Sequence, residues 1–294
     1  MAEKRVVFRG WWFPGLLLLP QLAITFIFFV WPAAQAVRQS FYRADAFGFG
    51  EHFVGLGNYA SLFTSANYLA SIETTVVFSL GVTALTLVVS LAFAAAVDRL
   101  IRSGGVYTAM LVWPYAIAPA VAGVLWWFMF DPSIGILAYW LRVAGIPWNN
   151  LLDGTDAMIL VVIASAWRQI PYNFIFFLAG LQSIPRSLHE AAAIDGASPV
   201  KRFFTIVLPL LSPTMFFLIV IDIVYAFFET FAVIDATTQG GPGQATTTLV
   251  YKTFADGFLS QNFGSSAAQS VILTAIVVVL TVIQFRFVER RVHY

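Results

Sequence analysis

Long stretches of this chain carry no charge, and their spacing gives the first prediction. No charged residue lies between Arg9 and Arg38, between Glu73 and Asp98, between Arg102 and Asp131, or between Asp256 and Arg286. Each stretch holds the run of about 20 apolar residues that carries a helix across about 30 Å of hydrocarbon. Two further hydrophobic stretches are interrupted: Asp156 to Arg186 contains Arg168, and Arg202 to Asp235 contains Asp222 and Glu229. The pattern predicts six spans over 12–32, 75–97, 107–130, 157–181, 212–232 and 267–286, with short tails at 1–11 and 287–294. Pro14, Pro20, Pro114 and Pro119 fall inside or near the ends of these spans. Such breaks are tolerated in membranes where neighbours satisfy the freed carbonyls.

Composition agrees with this pattern. The chain of 294 residues is 60% hydrophobic and only 11% charged, against roughly 25% charged in a soluble domain. That is too little charge to cover a soluble surface, so the expected class is an all-α integral membrane protein. Lys4, Arg5 and Arg9 precede the first span in the manner of a secretory leader. Its apolar run exceeds a leader's, so the helix is expected to be retained.

Several chemistries are excluded. There is no cysteine, which removes disulfides, thiolate zinc and iron–sulfur clusters. The three histidines are His52, His189 and His293, with no His-Glu-x-x-His spacing, and no P-loop occurs. A net charge of +1 gives no footprint for nucleic acid.

Direction follows from the basic residues. With the N-terminus inside, the inner segments hold 11 of them: Lys4, Arg5, Arg9, Arg99, Arg102, Arg186, Lys201, Arg202, Arg286, Arg290 and Arg291. The outer segments hold 4: Arg38, Arg43, Arg142 and Lys252. The positive-inside rule therefore puts both termini in the cytoplasm. The outer segments 33–74, 131–156 and 233–266 are long, with room to fold against a partner. No internal repeat is visible, which weighs against inverted-repeat secondary transporters.

The inner loop 183–211 carries the most information. Ser187-Leu188-His189-Glu190 fits a capping box, Ala191 to Ala193 favour helix, and Gly196 suits a left-handed stop. Ser198-Pro199 then suits the start of another helix. The expected shape is helix, tight turn, helix: a knob offered to another protein.

This loop resembles the coupling loop of ABC-importer permeases, whose pattern is Glu-Ala-Ala, three residues, Gly, nine residues, then Ile-x-Leu-Pro. Glu190-Ala191-Ala192, Gly196, Ile206, Leu208 and Pro209 match it without a gap. Phe53-Val54-Gly55-Leu56-Gly57-Asn58-Tyr59 and Gln239-Gly240-Gly241-Pro242 are similar to outer-loop motifs of the carbohydrate-uptake members of that family. Other runs are similar to permeases of sn-glycerol-3-phosphate importers. They include Trp113-Pro114-Tyr115-Ala116-Ile117-Ala118-Pro119 and Tyr225-Ala226-Phe227-Phe228-Glu229-Thr230-Phe231.

The resemblance implies a type I ABC importer permease fold in a bacterial inner membrane, with no cofactor on this chain. ATP and Mg would sit on two separate ATP-binding subunits. A second homologous permease would complete a heterodimer, and a periplasmic or extracellular substrate-binding protein would deliver the substrate. Glu190, Ala191, Ala192, Asp195, Gly196, Leu208 and Pro209 would couple to the ATPase, and Gly240, Gly241 and Pro242 would meet the binding protein. The implied cargo is sn-glycerol-3-phosphate or a related glycerophosphodiester. A maltodextrin or other sugar importer is the alternative within the family, and a proton-coupled secondary transporter the alternative outside it.

Arg168, Asp222 and Glu229 are the charges a bilayer rejects unless they have partners or water. Two roles stand open. Arg168 pairs with Asp222 or Glu229 and ties two spans together, or it lines the translocation path for an anion, with Tyr172, Asn173 and Tyr225 as hydrogen-bonding neighbours. A guanidinium presents a planar fork of donors suited to a phosphate ester. Trp126, Trp127, Phe227 and Phe228 are further path candidates, with bundle packing as their plainer role.

Overall fold

The computed structural model describes residues 12–44, 50–100 and 104–288. The tail 1–11 with Lys4, Arg5 and Arg9 lies outside the described residues, as do Arg102, Arg290 and Arg291. Helix α1 runs Trp12–Gln39, and none of its central apolar stretch is buried. It therefore extends past the expected end at residue 32, and Pro32 does not stop it. A π-turn over Phe26–Val30, in which the Trp31 N–H donates to the Phe26 carbonyl, precedes the Trp-Pro pair. The wider turn relieves the clash and the missing donor that proline brings to a helix.

A two-stranded hairpin follows, β1 (Tyr42–Ala44) against β2 (Glu51–Phe53), antiparallel. Asn58 ties this hairpin down by donating to the carbonyls of Ser40 (2.8 Å) and Tyr42 (2.9 Å). The Tyr59 hydroxyl bonds the Ser40 hydroxyl at 2.7 Å. The Asn-Tyr pair of the first outer-loop motif is thus an internal clamp.

Two helices come next, α2 (Gly57–Thr64) and α3 (Ala66–Leu100). At 1.5 Å per residue, α3 is about 50 Å long and stands well beyond the hydrocarbon layer. The stretch expected as one span over 107–130 is instead broken. Helix α4 (Gly104–Val112) passes through a tight turn at Trp113–Ala116 and meets α5 (Pro119–Phe130) at 105°. Pro114 and Pro119 remove donors there, and Ile117 and Ala118 are extended between them.

Beyond the break come α6 (Ile136–Val143) and α7 (Gly154–Ser183). Asp153 caps α7 by accepting from the backbone of Thr155 (2.7 Å) and Asp156 (3.1 Å). Those bonds, with Asp156 the stronger influence, hold the Asp153 carboxyl below the usual aspartate range. The remaining helices are α8 (Arg186–Ile194), α9 (Pro199–Leu210), α10 (Ser212–Phe228), α11 (Phe231–Thr237), α12 (Leu249–Phe254) and α13 (Phe263–Val288).

Among the described residues four helices are long and apolar enough to cross a membrane, or up to six spans if each bent pair is one span, α9 meeting α10 at 67°. The centre is a packing of α3, α7 and α10. One apolar cluster joins Phe78 and Val82 to Val161, Ala166, Tyr225 and Ala226. A second joins Ala94 and Val97 to Phe174, Phe177, Leu181 and Leu218. Between them on the three helices lie Thr83, Thr86, Ser90, Gln169, Asn173 and Asp222, all buried. A polar layer thus divides the apolar interior.

Candidate functional site

Two regions carry the residues that the sequence singled out. The first is the segment between α7 and α10. The three-residue run Ala191 to Ala193 lies in α8, and Asp195 and Gly196 end that helix. The Gly196 N–H bonds the Ala193 carbonyl (3.1 Å) and the Ala197 N–H bonds the Ala192 carbonyl (3.0 Å). This is the Schellman arrangement, and it places Gly196 at φ +75° with open space around it. Ser198 caps the next helix by accepting from the Lys201 N–H at 3.3 Å.

The expected capping box does not form. Pro185, with φ −58°, is the cap residue of α8 and makes no side-chain cap bond. Its fixed backbone starts the helix two residues early, so Ser187 lies inside the first turn and away from the cap. Glu190, Ala191, Asp195 and Pro209 are exposed, Leu208 is half-buried and Ala192 faces inward. Ile194 is 87% exposed, and Leu188, Val200 and Phe204 add to an uncovered apolar surface on α8 and α9. Before Leu208-Pro209 the chain makes a second π-turn, Phe203–Val207, with the same X-Pro sequel as in α1.

The second region is the polar layer. Asp222 on α10 has no exposed surface, and its carboxylate accepts from Gln169 Nε2 (3.1 Å) and Asn173 Nδ2 (2.6 Å) on α7. Arg168 points elsewhere: its Nε donates to the Ile117 carbonyl (3.3 Å), and its guanidinium lies 5.7 Å from the Tyr115 ring centre. Among the described residues no ion pair joins Arg168 to Asp222 or Glu229. The paired-charge arrangement is therefore not the one found: two amides of α7 satisfy the carboxylate, and the guanidinium goes to the Ile117 carbonyl and the Tyr115 ring.

Tyr225 is buried, donates to the Ser165 carbonyl (3.1 Å), and lies within electrostatic reach of Arg168. Helix α10 ends at Phe228, and Glu229 sits exposed at its end, before the buried Thr230.

Arg168 stands in a line of rings. Tyr115 meets Tyr172 at 6.1 Å, Tyr172 meets Phe176 at 4.9 Å, and Phe176 meets Phe217 at 5.3 Å. Trp126 packs on Phe130 and Trp167, while Phe227 is buried. The sequence reading missed Gln169, Tyr115 and Ile117. Gln169 and Asn173 stand four apart on one helix face, a signal that was present in the sequence. The approach of Ile117 to Arg168 depends on the 105° break and was not.

The glycine-rich turn lies apart from both regions. Gly240 has φ +79° and is buried, and a side chain there would meet Tyr251 at 2.6 Å and Thr247 at 2.7 Å. Thr246 and Thr247 donate to the carbonyls of Gly241 and Gly240, each at 2.9 Å. Gly241 and Pro242 are half-buried, whereas Gly243 and Gln244 are exposed at the tip. Among the described residues no group of three or more His, Asp or Glu side chains converges as a metal ion would need.

Known proteins share this architecture. Residues 74–294 match the family described as binding-protein-dependent transport system inner membrane component. The sn-glycerol-3-phosphate transport system permease protein UgpA of Brucella suis biovar 1 (strain 1330) is 57% identical over 99% of each chain. The protein of the same name from Rhizobium meliloti (strain 1021) is 56% identical, again over 99% of each. A bacterial ABC transporter involved in import of the acidic polysaccharide alginate contains a chain that superposes with a TM-score of 0.81. It has 19% identity and covers 96% of each chain, so it shows the fold. With its helical membrane bundle, its exposed helix between α7 and α10 and these relatives, the chain belongs to the inner membrane component family of binding-protein-dependent transport systems.

Proposed function

We propose that this chain is one of two membrane subunits of an ATP-driven importer of sn-glycerol-3-phosphate or related glycerophosphodiesters. The observation that carries the reading is the 57% identity, over 99% of both chains, with a permease named for that substrate. The chain makes and breaks no covalent bond. A second, homologous permease completes the path, two ATP-binding subunits hydrolyse ATP with Mg, and a periplasmic binding protein presents the substrate. A related fold has been seen with such a partner, in the bacterial alginate transporter in complex with its periplasmic protein.

The excess of 11 inner over 4 outer basic residues supports cytoplasmic termini in the inner membrane. In that orientation α8 faces the ATP-binding subunits. Its exposed Glu190 and the apolar surface of Ile194, Val200 and Phe204 suit insertion into a cleft. Gly196 shapes the turn that holds α8 against α9. At the opposite end, the turn with Gly240, Gly241 and Pro242 supports Gly243 and Gln244, which are exposed towards the binding protein.

Arg168 is the substrate's anion-binding group in this reading. Among the described residues its guanidinium makes no ion pair; it lies against the Tyr115 ring, which in turn meets Tyr172. A phosphate ester offers the oxygens that such a fork of donors binds in pairs. The rings along α7 give the carbon side of the substrate an apolar wall.

Reconstitution tests the reading. The complete importer in proteoliposomes is expected to take up labelled sn-glycerol-3-phosphate only with ATP inside and binding protein outside, and vanadate is expected to stop it. Uptake of maltodextrin in its place would move the substrate to the sugar branch. Uptake driven by a proton gradient without ATP would overturn the reading.

A further inference from the structure

We infer that Asp222 is a positioning residue for Arg168, fixing the rotation of α7 so that the arginine and Tyr172 face Tyr115 and Ile117. The inference rests on the proposed role of Arg168 as the anion-binding group. Asp222 itself, with no exposed surface, does not line a path.

The geometry is specific. Each carboxylate oxygen of Asp222 takes one amide of α7: Oδ1 from Gln169 and Oδ2 from Asn173. Residues four apart lie one above the other on a helix. One acid therefore holds α7 at two points a turn apart, which fixes both its rotation and its axial position against α10. Arg168 and Tyr172 each precede one of the two amides by a single residue. They stand about 100° around the helix from them, and the same two bonds aim them. The result is the Arg168 donation to the Ile117 carbonyl and the ring contact of Tyr172 with Tyr115.

Apolar packing alone does not do this. The clusters above and below the layer are made of Phe, Val, Ala and Leu, whose contacts are non-directional and tolerate a slip of one helix past another. A rotation of α7 would break both amide bonds together and leave an acid and two amides unpaired inside the membrane.

This chain has no cysteine, so one introduced into it is its single thiol. In the complete importer, single cysteines at position 172 (Tyr172→Cys) and position 174 (Phe174→Cys) are probed with a small water-soluble methanethiosulfonate. Position 174 is fully buried in the second apolar cluster. With Asp222 present, 172 is expected to react and 174 to stay silent. Asp222→Leu is expected to remove labelling at 172, expose 174, and raise the KM for sn-glycerol-3-phosphate. Asp222→Asn keeps the shape but only one of the two acceptor oxygens, so it is expected to retain the pattern in part.

If Asp222→Leu fails to assemble, Gln169→Met removes one of the two ties and is expected to shift the labelling partway. An unchanged labelling pattern with reduced uptake or melting temperature would overturn the inference and leave Asp222 a stabiliser only. The reading of Arg168 fails separately, by silence at 172 with Asp222 intact or by normal uptake in Arg168→Gln.

Discussion

The turn after α8 and the polar layer around Asp222 are both held by hydrogen bonds to few residues, yet they differ in how those bonds arise. In the turn, every partner lies within six residues: Gly196 with Ala193, Ala197 with Ala192, Lys201 with Ser198. In the layer, the partners of Asp222 are 53 and 49 residues away, and Arg168 reaches back 51 residues to Ile117. The first arrangement is local backbone chemistry and persists on an exposed, detached element. The second exists only when three helices have already packed. A device meant to dock on a moving partner gains from being locally self-sufficient, whereas a device meant to keep one orientation gains from long-range ties.

The largest expected effect is at Gly196. A β-branched side chain is excluded from φ +75°, so Gly196→Val is expected to reshape the turn and cut ATP-driven uptake by about ten-fold or more. Basal ATPase activity should persist, and ATP consumed per substrate moved is the quantity to measure. Normal coupling in this variant would break the claim that the turn is functional. Asp222→Leu comes next. Each buried amide left without its acceptor costs about 1–3 kcal/mol, so the melting temperature of the complex should fall, and fall less in Asp222→Asn.

Gly240→Ala should act at the opposite end, because its Cβ collides with Tyr251 and Thr247. Stimulation of ATPase activity by the binding protein is expected to drop while basal activity holds. The smallest effect belongs to Ser198→Ala, which removes one cap worth about 1 kcal/mol and should leave uptake near normal. A pH dependence of the same modest kind belongs to Asp153. Its lowered pKa means that the cap is intact above the usual aspartate range and lost as pH falls through the lowered value, a loss absent from Asp153→Ala.

Much of this was legible from residues alone, for physical reasons. Runs without charge reveal spans because hydrocarbon excludes charge, and Gly196 and Ser198 announce a stop and a start because their conformations are local. What was hidden is instructive. The first span is expected to end at residue 32, but the helix runs on to Gln39, with a π-turn just before the Trp-Pro pair. Ser187 and Glu190 read as a capping box, but Pro185 starts the helix earlier. The stretch 107–130 reads as one span on hydropathy, while Pro114 and Pro119 bend it by 105° and bring Ile117 to Arg168. Charge pairing of Arg168 with Asp222 follows from simple Coulomb reasoning, yet the acid is satisfied by two neutral amides on the same helix as the arginine.

The central claim is that Arg168 serves an anionic substrate and not a structural ion pair. It is tested most directly by comparing Arg168→Gln with the double variant Arg168→Gln, Asp222→Asn in the complete importer. Uptake of sn-glycerol-3-phosphate and melting temperature are measured for both. The account predicts that the single variant loses uptake by about ten-fold or more, the equivalent of one charge-assisted hydrogen bond, with the melting temperature preserved and no rescue by the second change. A destabilised single variant whose stability and uptake return in the double variant would contradict it.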